Sequence, residues 1–268
     1  MGQVGKLDAC LIGAQKSGST SLARWLAEHP MVCHSKTKET HFWRQERTAP
    51  EIAEWFSEQF DDDGSRLLVE SSTSNSMYPE VEGIPRRLHD HNPKMKILYV
   101  VRDPVRRTES HLVHSYRNGI IGSDWPQAIA NDRGFLDRSR YMMQLDQFLA
   151  IFPDEQIHVV IFENLVANPG AELSRIENFL GITGGSGELP RINVSAVRPG
   201  VTGFEMALRR RGIRLPHRIR QALRRRFGRT EPAVVLDHFQ RVSVLKELRP
   251  DSLRLEEYLG VELPWPAS

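Results

Sequence analysis

Apolar runs without alternation recur along this chain, and stretches of helical spacing separate them. Residues 8–12, DACLI, are short and mostly apolar and stop at Gly13. Residues 97–101, ILYVV, and 157–162, IHVVIF, have the continuous apolar character of strands covered on both faces of a parallel sheet. Residues 31–33 and 67–70 predict two further strands. Between these runs, Leu22, Trp25 and Leu26 fall on one helical face within residues 21–28, and residues 50–60 predict a second helix. Pro104 suits the first turn of a helix reaching about Asn118, and Tyr141, Met142, Leu145, Phe148, Leu149 and Phe152 repeat at helical spacing. Residues 169–180 predict a helix closed by Gly181. Strands alternating with helices predict an α/β fold: a central parallel sheet with right-handed crossovers and helices on its faces. Beyond about residue 184 the pattern changes to a glycine-rich turn, arginine-rich helices and a final helical hairpin broken at Pro250. No low-complexity linker divides the chain. The expectation is one domain over 1–268, with a core at about 5–183 and a basic helical part at about 184–268.

Composition narrows the setting. A chain of 268 residues that is 40% hydrophobic can bury a sizeable core. Its two cysteines, Cys10 and Cys33, form neither a disulfide framework nor a metal-ligand spacing, which points to a reducing compartment. The N-terminal apolar run is too short for a signal peptide and no stretch has the length of a membrane span, so a cytoplasmic protein is expected. Lys6 stands where an N-myristoylation signal would place Ser or Thr. The net charge of +2 hides an asymmetry: residues 206–229 carry ten arginines and no acid, and without those ten the other 26 basic residues face 34 acidic ones. Three readings of that run stand: a solvated helical face, a lid over phosphates, or a surface for an anionic partner.

The first strand-to-helix junction carries the chemistry. It reads LIGAQKSGSTSL, with Gly13, Lys16, Gly18, Ser19 and Thr20 forming GxxKxGST. A nucleotide triphosphatase loop reads GxxxxGK[ST], with its lysine after the second glycine. Here Lys16 precedes Gly18, so it reaches a phosphate from the entering side of the loop. The backbone N–H groups from Ser17 to Ser21 still form an anion nest at a helix N-terminus. Arg102 directly follows a buried strand, which puts its guanidinium at the carboxyl edge of the sheet, where open α/β sheets bind ligands. There it can grip a phosphate with two parallel hydrogen bonds, and Ser110, two turns into the next helix, can add a hydroxyl. Pairing of Arg102 with Asp103, or a capping role, is the alternative. Glu39 precedes Phe42 and Trp43, an aromatic wall that would desolvate a carboxylate and make it a useful base; a plain ion pair with Lys36 or Lys38 is the other reading. His41 is a second candidate base or a hydrogen-bonded wall residue.

Taken together, these motifs resemble the sulfotransferases that use 3′-phosphoadenosine-5′-phosphosulfate (PAPS), the carbohydrate or heparan type more than the aryl type. GAQKSGSTSL is similar to that family's 5′-phosphosulfate loop, VVRDPVRRTESH to its 3′-phosphate motif, and KETHFW to the KExxFF segment holding its catalytic glutamate, here Glu39. LKELRPDSLRLEEYLGVELPW is like the endings of many bacterial members. The resemblance implies a P-loop-like core and PAPS as donor, with adenosine 3′,5′-bisphosphate (PAP) as product and no metal. It implies Glu39 as base and Lys16 on the leaving group, with Ser17, Gly18, Ser19, Thr20, Ser21, Arg102 and Ser110 around the nucleotide. NVSAVRPGVTG adds Arg198 and Gly200 to the 3′-phosphate set. Where the heparan type carries a lysine after the glutamate of LLVE, this chain has Ser71, which implies an acceptor less polyanionic than heparan. The implied partner is a small-molecule or saccharide hydroxyl rather than nucleic acid. Two alternatives remain: a P-loop kinase using ATP and magnesium, with Glu70 or Asp103 as the acid, and an anionic-polymer-binding module built on the arginine run.

Overall fold

In the computed structural model, residues 5–61, 64, 66–190, 208, 216, 219 and 235–266 are described. Five parallel strands form one sheet in the order β2-β3-β1-β4-β5: β1 Ala9–Gly13, β2 Val32–His34, β3 Leu67–Ser71, β4 Lys96–Val101 and β5 Ile157–Ile161. Each expected strand is present, displaced by at most a residue or so at either end. Side chains alternate between the two faces. Cys10, Ile12, Ile97, Tyr99 and Val101 pack on one side with Trp43, Trp55, Tyr141, Phe148 and Leu255. Ala9, Leu11, Leu98 and Val100 pack on the other with Leu22, Trp25, Leu26, Ile176 and Leu180. Both faces are covered, which is why β1 and β4 read as unbroken apolar runs. Full burial of each Leu or Ile here stabilises the fold by about 1.5–3 kcal/mol before entropy is counted.

The helices that frame the ligand edge follow local rules. Helix α1, Ser19–Glu28, starts at Gly18, whose φ of 89° is open to glycine at little cost, and no side chain caps it. Helix α2, Ala49–Gln59, begins in a capping box between Thr48 and Glu51. Helix α3 spans Ile84–His91. Helix α4, Pro104–Arg117, has proline at its first position, and the Asp103 carboxylate accepts from Val105 N and Arg106 N. Two short helices, α5 Trp125–Asn131 and α6 Gly134–Asp137, precede α7, Tyr141–Leu149. Helix α8, Phe162–Ala167, leads to α9, Pro169–Leu180, which ends on Gly181 at φ 76° as expected.

The C-terminal hairpin is not what forms. Residues His238–Leu259 are one helix, α10, and it runs straight through Pro250. Proline removes a backbone donor and ordinarily breaks a helix. Tertiary contacts override that tendency: Val244, Leu248 and Leu255 are buried, and the Asp251 carboxylate accepts the N–H groups of Met142 and Met143 at 2.9 Å each. One residue beyond the proline, α10 thus supplies partners for unpaired amides in the first turn of α7. The arginine-rich residues 206–229, Arg198 and Gly200 lie outside the described part, apart from Leu208, Pro216 and Ile219.

Candidate functional site

The chain switches sides between β1 and β4. After β1 it turns through α1 towards β2; after β4 it continues through α4 towards β5. The loops at the carboxyl ends of these two central strands diverge, and open α/β sheets bind ligands in such a crevice. A cleft of about 1330 Å³ lies here, lined by Lys16, Gly18, Ser19, Thr20 and Ser21 from the first loop and by Arg102 and Ser110 from β4–α4. Glu39 and His41 line it from a third segment, so the expected motifs converge on one site. Ser17 is the exception: it is fully buried and does not line the cleft.

The loop is tightly tethered. Ala14 N donates to Val100 O at 2.7 Å, and Arg102 Nη1 donates to Lys16 O at 3.3 Å, so the two strand ends hold each other. The Arg102 guanidinium carbon sits 5.2 Å from the centre of the Phe162 ring, and the Tyr141 hydroxyl donates to Arg102 O at 2.7 Å. Asp103 does not take the arginine, being occupied with capping α4 and with Arg106 at 3.5 Å. Arg102 Nε is buried with no hydrogen-bond partner among the described residues. With Lys16, Lys38 and Arg117 also lining the cleft, its four Lys and Arg side chains outnumber its two acids, Glu39 and Glu188. Burial first, then the charges of Arg117, Arg102, Arg107 and Lys38, pushes the Lys16 ammonium below its usual value. An anionic ligand would relieve that crowding, and the uncapped α1 terminus, with no acid in its first turn, adds a further positive end.

Glu39 enters the lining from the segment between β2 and α2. Its Oε2 accepts from Thr73 N at 2.8 Å and from Thr73 Oγ1 at 3.1 Å, and its Oε1 pairs closely with Lys38 Nζ. The ion pair with Lys38 is therefore real, whereas Lys36 pairs with Asp61 instead. The expected aromatic wall is absent from this side: Phe42 stacks on Trp55 with ring centres 4.5 Å apart, Trp43 packs beside it, and neither lines the cleft. Their hydrophobic surface is spent in the core, which leaves polar Lys38, His41 and Thr73 around the carboxylate. His41 is a hydrogen-bonded wall residue, with Nδ1 2.8 Å from Ser74 Oγ.

Backbone conformation singles out the same residues. Lys16, Glu39 and His41 are the non-glycine residues with positive φ among those described, at 70°, 65° and 54°. Left-handed backbone costs an ordinary side chain about 1–3 kcal/mol and tends to persist where surrounding structure imposes it, often at functional sites. All three face this cleft.

Several lining residues escaped the sequence reading. His114 and Arg117 follow Ser110 by four and seven residues and so share its face of α4, a helical spacing available from the sequence. Thr73 and Phe162 had no such signal, and Lys38 was legible only as a partner of Glu39. Ser71 is buried, its hydroxyl 2.8 Å from His34 Nε2, and does not line the cleft.

Comparison with known proteins finds relatives by sequence and by fold. The model described as "Sulfotransferase domain" matches residues 6–196. The chain is 27% identical over 187 residues to human heparan sulfate glucosamine 3-O-sulfotransferase 5, covering 65% of this chain and 53% of that protein. It is 26% identical over 279 residues to human heparan sulfate glucosamine 3-O-sulfotransferase 3B1, covering 96% and 64%. The chain thus spans between about half and two thirds of the length of these relatives. Among solved structures, a sulfotransferase from Alicyclobacillus acidocaldarius aligns at a TM-score of 0.70 with 20% identity, covering 97% of this chain and 98% of that one. The sulfotransferase domain from the curacin biosynthetic pathway aligns at 0.54 with 16% identity, covering 98% and 100%. At such identities the structural likeness is one of fold.

Proposed function

This chain belongs to the sulfotransferase domain family, and from that premise we propose that it transfers the sulfuryl group of PAPS to a hydroxyl of a carbohydrate or other small alcohol, releasing a sulfate ester and PAP. The observation that carries this reading is the convergence of Lys16, Glu39 and His41, each in a strained conformation, on one cation-rich cleft. The residues suit the donor: Arg102 has an unpartnered buried nitrogen, and the N-terminus of α1 at Gly18 has no side-chain cap and can offer its backbone N–H groups to a phosphate. PAPS supplies an activated sulfuryl group on a phosphate leaving group. Glu39 accepts the proton of the attacking hydroxyl as its oxygen bonds to sulfur and the sulfur–phosphate oxygen bond breaks. Lys16 and the α1 terminus stabilise the charge gathering on the departing phosphate. Arg102 and Ser110 hold the 3′-phosphate, with Ser19, Thr20 and Ser21 at the 5′ side. We assign no role to a metal ion.

The acceptor wall favours a polyhydroxyl substrate. The side chains that touch the Glu39 carboxylate are polar, Lys38 and Thr73, and His41 lines the cleft two residues on, although Val113, Phe162, Leu165 and Leu189 give the same cleft apolar lining as well. The kinase alternative requires a strand-end acid facing the phosphates. Glu70 is instead fully buried and Asp103 caps α4. No helix among the described residues is long and apolar enough to cross a membrane, and a reducing, cytoplasmic setting suits the two free, buried cysteines.

Incubation with PAPS and a panel of saccharides and small alcohols, with and without a chelator, tests the reading by mass detection of an added sulfate. Sulfated product in both conditions is expected. Absence of product with every acceptor, together with magnesium-dependent ATP binding, would overturn it. Gly18→Ala tests the loop separately. A Cβ there lies 2.4 Å from Phe162 Cδ2 on a backbone with φ of 89°. Displacing that ring also disturbs Arg102 stacked against it, so PAP affinity measured by calorimetry should fall roughly tenfold or more.

A further inference from the structure

Two of the three strained residues, Glu39 and His41, flank Thr40 in one short turn, and something must hold that turn. Its backbone anchors are Glu39 N to Ser71 O at 2.9 Å and His41 N to Ser72 Oγ at 3.2 Å. Behind them lies a carboxylate with no exposure at all, Glu70, at the end of β3. Its Oε1 accepts from Thr40 Oγ1 at 2.9 Å and, closely, from Ser72 Oγ. Its Oε2 accepts from Asn75 Nδ2 at 3.3 Å and from the Cys10 thiol at 3.4 Å. A buried carboxylate is costly unless such donors surround it, and a satisfied network of this kind fixes the orientation of each member.

We infer that Glu70 is a positioning residue that locks the Glu39–His41 turn into its left-handed geometry, acting through Thr40 and Ser72 and never touching substrate. The inference rests on the sulfuryl-transfer reading for its effect on rate, but not for its effect on the turn. Glu70 orients the Ser72 hydroxyl so that its oxygen is free to accept the His41 amide, and it pins the Thr40 side chain. With both ends of Thr40 fixed, the Glu39 carboxylate stays over Thr73 on the cleft wall. Loss of the anchor lets the turn relax towards ordinary backbone conformations, which moves the base away from the acceptor without altering the phosphate loop.

Two variants test this from different ends. Glu70→Gln keeps the volume but replaces one acceptor oxygen with a donor; Thr40→Val keeps Glu70 and removes the hydroxyl link together with the long contact that hydroxyl accepts from Phe42 N at 3.4 Å. Each should lower kcat by roughly 10- to 100-fold, the scale of a small misplacement of a reacting group, while PAP affinity stays within about twofold. Combined with Glu39→Gln, either should add little further loss, because the positioned group is already gone. Hydrogen exchange of the PAP-bound protein supplies a readout independent of turnover: the His41 amide should exchange roughly tenfold faster or more in Glu70→Gln, with the β1 and β4 amides unchanged. Unchanged kcat and His41 exchange in both variants would overturn the inference. So would a parallel fall in PAP affinity or a fully additive loss with Glu39→Gln. If the parent protein sulfates no acceptor, the sulfuryl-transfer reading fails and the His41 exchange rate alone decides the anchoring.

Discussion

Glu39→Gln should leave PAP affinity near that of the parent protein while kcat drops by roughly 10² to 10⁴, the usual contribution of a positioned general base. The amide matches the carboxylate in size, and its oxygen can still accept from Thr73 N and Thr73 Oγ1, which hold the side chain now. What disappears is the site that takes the proton and the ion pair with Lys38. Lys38→Met separates those two losses: it breaks the pair but spares the proposed base, so most of the rate should survive. Single-turnover measurements with PAPS and acceptor in excess report the chemical step directly. His41→Ala is the competing test, since His41 lines the same wall and its Nδ1 is occupied by Ser74. If His41→Ala abolishes turnover and Glu39→Gln does not, the proton goes to the imidazole and Glu39 is a structural partner of Thr73.

Residues whose role depends on their immediate neighbours were the legible ones. Strands β1 and β4 declared themselves because burial on both faces leaves them almost wholly apolar, and β5 was legible from its apolar run in spite of the half-buried His158. Pro104 after Asp103 marked the start of α4, and with it the placement of Arg102 at a strand end. Conformation was hidden. Nothing in the identity of Lys16, Glu39 or His41 announces positive φ, because tertiary contacts impose it against local preference. Pro250 misled for the same reason: its local effect is to break a helix, and packing against α7 outweighed that. Glu70 shows the limit most clearly. A glutamate at a strand end suits a magnesium-holding acid, and only the surrounding hydroxyls, amide and thiol reveal that it faces inward. The aromatic pair after Glu39 belongs to the core instead of the cleft, because Trp55 on α2, distant in sequence, packs against both rings.

Arg102→Ala should erase the preference of the protein for a nucleotide carrying a 3′-phosphate. The parent protein should bind PAP well ahead of ADP without magnesium, because ADP places both phosphates at the 5′ end and leaves the guanidinium unpaired. A charge-assisted, two-pronged contact to a phosphate is worth about 2–3 kcal/mol here, so the variant should lose roughly 30- to 150-fold in PAP affinity. ADP affinity should move far less. One complication is built into the structure: Arg102 also donates to Lys16 O and stacks on Phe162, so its removal can loosen the loop itself. AMP isolates that effect, since it engages only the 5′-phosphate side. A loss confined to PAP assigns the arginine to the 3′-phosphate. An equal loss for AMP and PAP makes Arg102 a brace for the loop, and equal parent affinities for PAP and ADP would remove the donor assignment altogether. Arg102→Lys sharpens the outcome, because a lysine restores charge without the fork. If two-pronged geometry matters, that variant should recover only part of the PAP preference, whereas a purely Coulombic contact would be restored nearly in full.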